Sequence, residues 1–388
     1  MLIHTVKGGD DLYSIAKGYS TYPQKLSNDN EPVSERLTEG DELAVIIPTK
    51  VITARGGDTL PSIARKYGIK ESALLRQNVD LISRGYIRPG QQITLKQSAP
   101  TLGSASAIGR LRKGDSYYRL KTSLPFLTYL TIECAEINED GDLLSVCRRE
   151  TVKECLDSGK VPLLAVKDES QGKFATRGRK SAIDNLIGLA KKEGFKGVLL
   201  SFPELAKNEP EQYLELLLDM RKRFLGCDLI LFTELNAGSP IEASEISDGA
   251  ILNVGALPIS EVKATLRDFA ERTESSKIFV TIETMAKAPD KQMSISEAKR
   301  LCLGRFSAIS TSEKTLLSSF CRYSVRNGDG VSDQITFPSL KYTKAKLAEL
   351  AELGFSGISV EISSIDTARL CTFNSLFRRA DYALPYEI

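Results

Sequence analysis

Two stretches at the front of the chain carry the same order of apolar and polar positions. A short alternating run over residues 3–6 leads into Gly8-Gly9-Asp10-Asp11-Leu12, and then Leu12, Ile15, Ala16 and Tyr19 follow at helical spacing. The pattern returns without a change of register: an alternating run over 51–54, then Gly56-Gly57-Asp58-Thr59-Leu60, then Leu60, Ile63, Ala64 and Tyr67. Leu26 falls on Leu74 and Asn30 on Asn78, and so many identities in one register mark an internal repeat. The alternating runs predict strands, the Gly-Gly pairs predict turns, and Asp10 or Asp11, with Asp58 or Thr59, are placed to cap the helix that follows. Pro61 suits a first helical turn. Second short helices are predicted over 23–28 and 71–78, and closing strands over 43–47 and 92–95, after Glu39-Gly40-Asp41 and Arg88-Pro89-Gly90. Each unit therefore reads as a small α+β module of strand–helix–helix–strand, the first over 2–49 and the second over 50–96.

Residues 97–109 are small, polar and rich in breakers, a composition that predicts a flexible linker. From 110 to 388 apolar runs alternate with helical patterns. Strands are predicted over 127–133, 162–166, 197–202, 228–233, 249–254, 277–282, 334–337 and 357–362, with helices between them, including 182–193, 209–224, 259–271 and 343–353. This alternation predicts an α/β (β/α)8 TIM barrel. An open doubly wound sheet is the alternative, but no glycine-rich phosphate loop supports it. The pattern breaks over 294–327, which predicts a small subdomain inserted at about 284–332, before the seventh predicted strand.

Composition narrows the chemistry. The 388 residues are 41% hydrophobic and 26% charged, with a net charge of +2. Lys and Arg are mixed with Asp and Glu, so neither nucleic acid nor an anionic membrane is an expected partner. The single histidine, His4, excludes a zinc site with several His ligands and argues against a Ser-His-Asp triad. No cofactor or metal is expected. The seven cysteines are absent from the first hundred residues and form no C-x-x-C pair, so reduced, mostly buried thiols and a reducing compartment are expected. No apolar run is long enough to span a membrane. No signal peptide precedes Ile3-His4-Thr5-Val6, so the expectation is synthesis in the cytoplasm, with any wall target reached from inside the cell or after lysis.

The repeat resembles the LysM family, on the run Val6-Lys7-Gly8-Gly9-Asp10-Asp11-Leu12-Tyr13-Ser14-Ile15-Ala16 with Asn30 and Gly40, and on Gly57-Asp58-Thr59-Leu60-Pro61-Ser62-Ile63-Ala64 with Asn78 and Pro89-Gly90. The resemblance implies binding of N-acetylglucosamine chains, as in peptidoglycan or chitooligosaccharides, in a shallow groove between the first strand–helix loop and the loop after the second helix. Carried over, the groove uses Gly9, Asp10, Asp11, Leu12 and Asn30 in the first copy. In the second it uses Gly57, Asp58, Thr59, Leu60, Asn78, Leu81 and Ile82. The plainer reading of the Asp residues is helix capping. The first copy departs from the pattern at Asn30-Glu31-Pro32, with a shortened second loop.

The whole chain resembles the spore-cortex peptidoglycan N-acetylglucosaminidases, which join tandem LysM modules to a family 18 glycoside hydrolase barrel. The landmarks are Leu127-Thr128-Tyr129-Leu130, Asn138-Glu139-Asp140-Gly141, Glu193-Gly194-Phe195-Lys196-Gly197-Val198, Lys277-Ile278-Phe279-Val280, Ile295-Ser296-Glu297-Ala298, and the run from Lys346 to Ile358. That family implies substrate-assisted hydrolysis, with an Asp-x-x-Asp-x-Asp-x-Glu run at the end of the fourth strand, an exception to the two-carboxylate scheme. Here the Asp positions hold Lys196, Leu199 and Ser201, and the acid position holds Pro203. The family's Tyr-Asp pair falls on Gly255-Ala256, and Trp is absent. The resemblance therefore implies a barrel without its catalytic groups. Glu204, Glu234, Glu133, Glu283 and Glu361, together with Asp168, fall near predicted strand ends and are the candidates for a relocated acid pair. The reading is a peptidoglycan-binding protein of the spore coat or cortex, made in the mother cell, with spore coat proteins as further partners. The alternative is an active glycosidase using relocated carboxylates.

Overall fold

The computed structural model describes residues 1–31, 37–236, 238–255, 259–288, 291–304, 309–311, 320–326 and 332–379. In the first repeat β1 (Leu2–Thr5) pairs antiparallel with β2 (Glu42–Val45), His4 lying opposite Leu43. The helices Leu12–Gly18 and Pro23–Asn30 cover one face of this pair and bury Ile15, Ala16 and Leu26 against Val6, Leu43 and Val45. The second repeat pairs β3 (Pro48–Thr53) with β4 (Gln92–Gln97), and the helices Leu60–Tyr67 and Glu71–Gln77 bury Ile63, Ala64 and Leu74 on it. It also carries a short third helix, Asp80–Arg84, beyond the strand–helix–helix–strand pattern.

The large domain is a closed barrel of eight parallel strands. In chain order these are β5 (Ser104–Leu111), β6 (Tyr129–Ile137), β8 (Val161–Asp168), β9 (Gly197–Ser201), β10 (Ile230–Leu235), β11 (Gly249–Leu252), β12 (Ile278–Thr281) and β18 (Gly357–Glu361). β5 closes the circle by pairing with both β6 and β18. The hairpin strand β7 (Leu143–Ser145) returns antiparallel along the end of β6. The insertion lies between β12 and β18. It is an antiparallel sheet of β13 (Met285–Lys287), β14 (Gln292–Ser294), β15 (Ile309–Thr311), β16 (Phe320–Arg326) and β17 (Ser332–Pro338). Along each barrel strand side chains alternate between the lumen and the helix layer. Ile108, Tyr129, Leu163, Leu199, Ile230, Phe232, Ile251 and Phe279 fill the lumen, so the barrel centre is a packed core.

Three sequence expectations are corrected. The first barrel strand lies at Ser104–Leu111, inside the stretch read as a flexible linker. Its small residues serve close packing: a side chain at Gly109 would run into Leu127 and Ile362. The run 334–337 is part of β17 in the inserted sheet, so the insertion precedes the eighth barrel strand. Finally, Cys134 and Cys147 form a disulfide, with Cα atoms 4.8 Å apart. The β6–β7 hairpin brings them together, Ala135 pairing with Ser145 and Val146 N–H donating to the Cys134 carbonyl, a proximity that their spacing in sequence does not reveal. Cys155 and Cys371 are buried thiols outside any disulfide, Cys302 is buried in the core of the insertion, and Cys227 is half-buried.

Both repeats pack on the barrel. In the first, Ala44 meets Leu340 and Ala368, Lys341 pairs with Glu42, Lys299 pairs with Asp41 at 2.8 Å, and Arg119 reaches Glu31. In the second, Arg76 donates to the Asn374 side chain and to the Pro125 carbonyl. The connector is itself bonded: Ser98 N–H donates to the Ile47 carbonyl, and Thr101 and Leu102 N–H to that of Leu376. Among the described residues no helix is long and apolar enough to cross a membrane.

Candidate functional site: the repeat turns and the barrel mouth

In both repeats the strand–helix turn is built by the same bonds. Gly9 and Gly57 take positive φ, +89° and +86°, which glycine adopts without a Cβ clash. Asp10 accepts from Lys7 N–H at 2.8 Å and Asp58 from Arg55 N–H at 2.7 Å, bracing each turn. Asp11 and Thr59 are the helix caps, each in a reciprocal box with the serine three residues on, Ser14 and Ser62. In the first repeat His4 also bonds Asp10 and Tyr19. The backbone N–H of Lys7, and then His4, hold the Asp10 carboxyl below its ordinary range, and Ser14 does the same for Asp11. Gly9, Asp11, Gly57 and Thr59 are exposed, and Asp10, Leu12, Asp58 and Leu60 are partly so, leaving the edge of each turn open to a ligand.

The other residues assigned to the grooves lie inside. The Asn30 amide donates to the carbonyls of Leu26 and Ala44 and accepts from Ala44 N–H. Asn78 repeats this with Leu74 and Thr94. Each Asn ties the end of its second helix to the closing strand, as buried polar groups require. Leu81 is buried in the core of the second repeat, and Ile82 is buried in the core it shares with the barrel. Asn30 and Leu81 support the repeat from inside, whereas Asn78 and Ile82, although buried, each border a surface cavity. Pro32–Arg36, where the first copy departs from the repeat, lie outside the described residues.

The lumen-facing positions at the carboxyl ends of the barrel strands form an ion-pair network. Arg110, at the end of β5, directs its guanidinium fork at Glu234 on β10, with contacts of 2.8 and 2.9 Å. Ser201 on β9 donates to the same carboxylate at 2.5 Å, and Asn253 approaches it at 3.5 Å. Arg110 Nε also lies 3.4 Å from Glu361 on β18, which accepts two bonds from Arg112 at 2.9 and 3.0 Å. This Glu361 partner raises the Arg112 guanidinium above its ordinary range. Glu283 is held by Lys346 at 2.8 Å through both oxygens. Asp168 binds its own loop, accepting from Ser170 and Gly172 N–H. Glu133 lines a cavity of about 430 Å³ with Arg112, Asp115 and Tyr117, where burial raises the Asp115 carboxyl above its usual range.

All four positions of the glycosidase run are described, and none presents a carboxylate to the lumen. Lys196 is exposed at the amino end of β9, Leu199 fills the lumen, and Ser201 serves Glu234. Pro203 starts a helix, Pro203–Asn208, instead of presenting an acid. Glu204 is exposed on that helix and takes a bond from Asn208, apart from the Glu234 network. Of the second pair, Gly255 is half-buried, and Ala256 lies outside the described residues. Among the described residues there is no cluster of metal-ligating side chains. Sequence reasoning missed Arg110, Arg112 and Lys346. The period-two step from Ile108 to Arg110 is the signal that places Arg110 at the mouth.

Residues 4–45 and 52–96 match the LysM domain family. The two N-terminal repeats are LysM domains. Over the chain as a whole, the Bacillus subtilis (strain 168) protein YdhD, named as a sporulation-specific glycosylase, is 21% identical across 92% of this chain and 94% of its own length. The crystal structure of the Bacillus cereus spore cortex-lytic enzyme SleL superposes with a TM-score of 0.77 at 19% identity, covering 98% of this chain and 100% of that one. A chitinase from Chromobacterium violaceum covers 71% of this chain with a TM-score of 0.64 at 13% identity. At these identities the structural likeness establishes the fold: a LysM pair on a barrel shared with glycosidases.

Proposed function

We propose that this chain binds peptidoglycan, an N-acetylglucosamine polymer, through its LysM domains, and that its barrel is a non-catalytic scaffold of the spore coat or cortex. The observation that carries the reading is the replacement of the acid run by Leu199, Ser201 and Pro203, together with the engagement of both Glu234 oxygens by Arg110 and Ser201. A general acid must reach the glycosidic oxygen with a proton to give, a step worth about 10²–10⁴-fold in rate. Neither Pro203 nor the clamped Glu234 meets that need. The names of the relatives, sporulation-specific for YdhD and spore cortex-lytic for SleL, support the setting. The coat proteins there are the partners the scaffold would join to glycan. A second reading, hydrolysis by relocated carboxylates, has one observation in its favour: Glu133 and the raised Asp115 share the open cavity beside β6.

Incubation with cortex peptidoglycan or chitooligosaccharides, followed by pelleting and a reducing-end assay, separates the two. The expected result is co-sedimentation with no new reducing ends. Product formation that disappears in Glu133→Gln, Glu204→Gln or Glu234→Gln would overturn the scaffold reading.

A further inference from the structure

Away from the two turns, a polar cleft of about 510 Å³ opens between the LysM domains, within the size range of small-ligand sites. A second cavity, of about 240 Å³, shares Asn28, Asp80 and Arg84 with it and continues onto the barrel helix Tyr117–Ser123 at Tyr118 and Thr122. The two join into one groove where both LysM domains meet the barrel. None of the turn residues Gly9–Leu12 or Gly57–Leu60 lines it.

The lining has a consistent chemistry. Gln24, Asn28, Gln77 and Gln91 line it with carboxamides, the complement of a sugar hydroxyl or an N-acetyl group. Gln24 donates to Asn28 at 2.7 Å, and Gln91 accepts from Arg88 N–H, so a ligand would share these groups with the chain's own bonds. The charges of Lys25 and Asp29 are engaged with each other at 2.7 Å, and Lys25 also donates to the Gln77 carbonyl across the domain boundary. Arg84 differs. Its nearest acid, Asp80, lies 3.6 Å away, beyond hydrogen-bond length. Gln91 is the closer partner of Asp80, at 2.9 Å. Arg84, loosely paired with Asp80 and 39% exposed in its side chain, lines both cavities where they meet. At the far end Tyr118 is 55% exposed and offers a ring face.

We propose that this groove is a second glycan site, one that takes an N-acylated oligosaccharide bearing a carboxylate, with Arg84 reading the acid and the carboxamides reading hydroxyl and acetamido groups. The proposal rests on the peptidoglycan-binding reading and adds to it a preference for acidic over neutral sugar.

The test is calorimetric titration of the full chain with two probes: chitohexaose, and a peptide-free glycan strand of alternating N-acetylglucosamine and N-acetylmuramic acid. The native chain is expected to bind the acidic strand about tenfold more tightly, the scale of one charged hydrogen bond. Arg84→Gln is expected to erase that preference while binding of chitohexaose persists, and Asn28→Leu to weaken both. Melting curves of the variants matching the native chain tie these losses to the groove. Equal binding of the two probes by the native chain, or an unchanged preference in Arg84→Gln, overturns the acidic site and leaves the LysM reading standing. Failure of the native chain to bind either probe overturns both.

Discussion

The LysM turns and the barrel mouth are both polar rims on apolar cores, and they treat their polar groups in opposite ways. At the turns, internal bonds brace the backbone from beneath, through Asp10, Asp58, Asn30 and Asn78, while the outer edge stays exposed. At the mouth, three of the candidate acids face cations of the same chain: Glu234 and Glu361 face Arg110 and Arg112, and Glu283 faces Lys346. A rim whose groups are braced from behind is ready for a ligand. A rim whose groups pair with one another must break those pairs first.

The comparison is broken most sharply at Arg110. Arg110→Ala leaves Glu234 buried without its partner and is expected to destabilise the barrel by about 3–5 kcal/mol, read from urea unfolding. A loss below about 1 kcal/mol would mean that the mouth is solvated and not self-paired. Next in size are Asn78→Ala and Asn30→Ala, each of which strands buried backbone groups at the cost of about 1–3 kcal/mol. Faster amide exchange confined to the affected LysM domain is the corresponding signature. Loss of sugar binding with exchange unchanged would instead make the Asn a ligand contact.

Thr59→Ala removes one cap and is expected to cost about 1 kcal/mol, a shift to be measured by thermal melting. The smallest effect is in pH. Asp10 and Asp11 have carboxyls lowered from 3.8 by their bonds in the fold, so the unfolded chain takes up these protons first. Their support is complete above that value and is lost only as pH falls below it, through the folded pKa values. Carboxyl carbon titrations with midpoints at or above 3.8 would show that the brace does not form.

What was legible in the sequence was local. The turn and cap residues announced themselves because a capping box and a positive-φ glycine act within a few residues of each other. Asn30 and Asn78 were found by their repetition, but repetition marks a structural clamp as readily as a binding group, and only the backbone partners distinguish the two. The barrel followed from its alternation of strands and helices, except at β5, where Ser104, Ala105, Ser106, Ala107 and Gly109 are small and so resemble a linker in composition, although at Gly109 the neighbours Leu127 and Ile362 leave no room for a side chain. The mouth was half legible. The predicted strand boundaries placed Glu234 and Glu361 at strand ends, but Arg110 and Glu234 are far apart in the chain, and no local rule pairs them. The Cys134–Cys147 bond was hidden for the same reason: it depends on a hairpin register and not on spacing.

The bonded connector has a consequence for how the chain would meet a polymer. A flexible tether would let each LysM domain search independently, and the gain from two sites would follow the length of that tether. Here Ser98, Thr101 and Leu102 are tied to Ile47 and Leu376, and both domains are pinned to barrel helices. The spacing between the two turns is then a fixed ruler. Under the proposed function a glycan strand would be measured against it, and strands whose sugar repeat falls out of phase with the two turns would occupy only one of them.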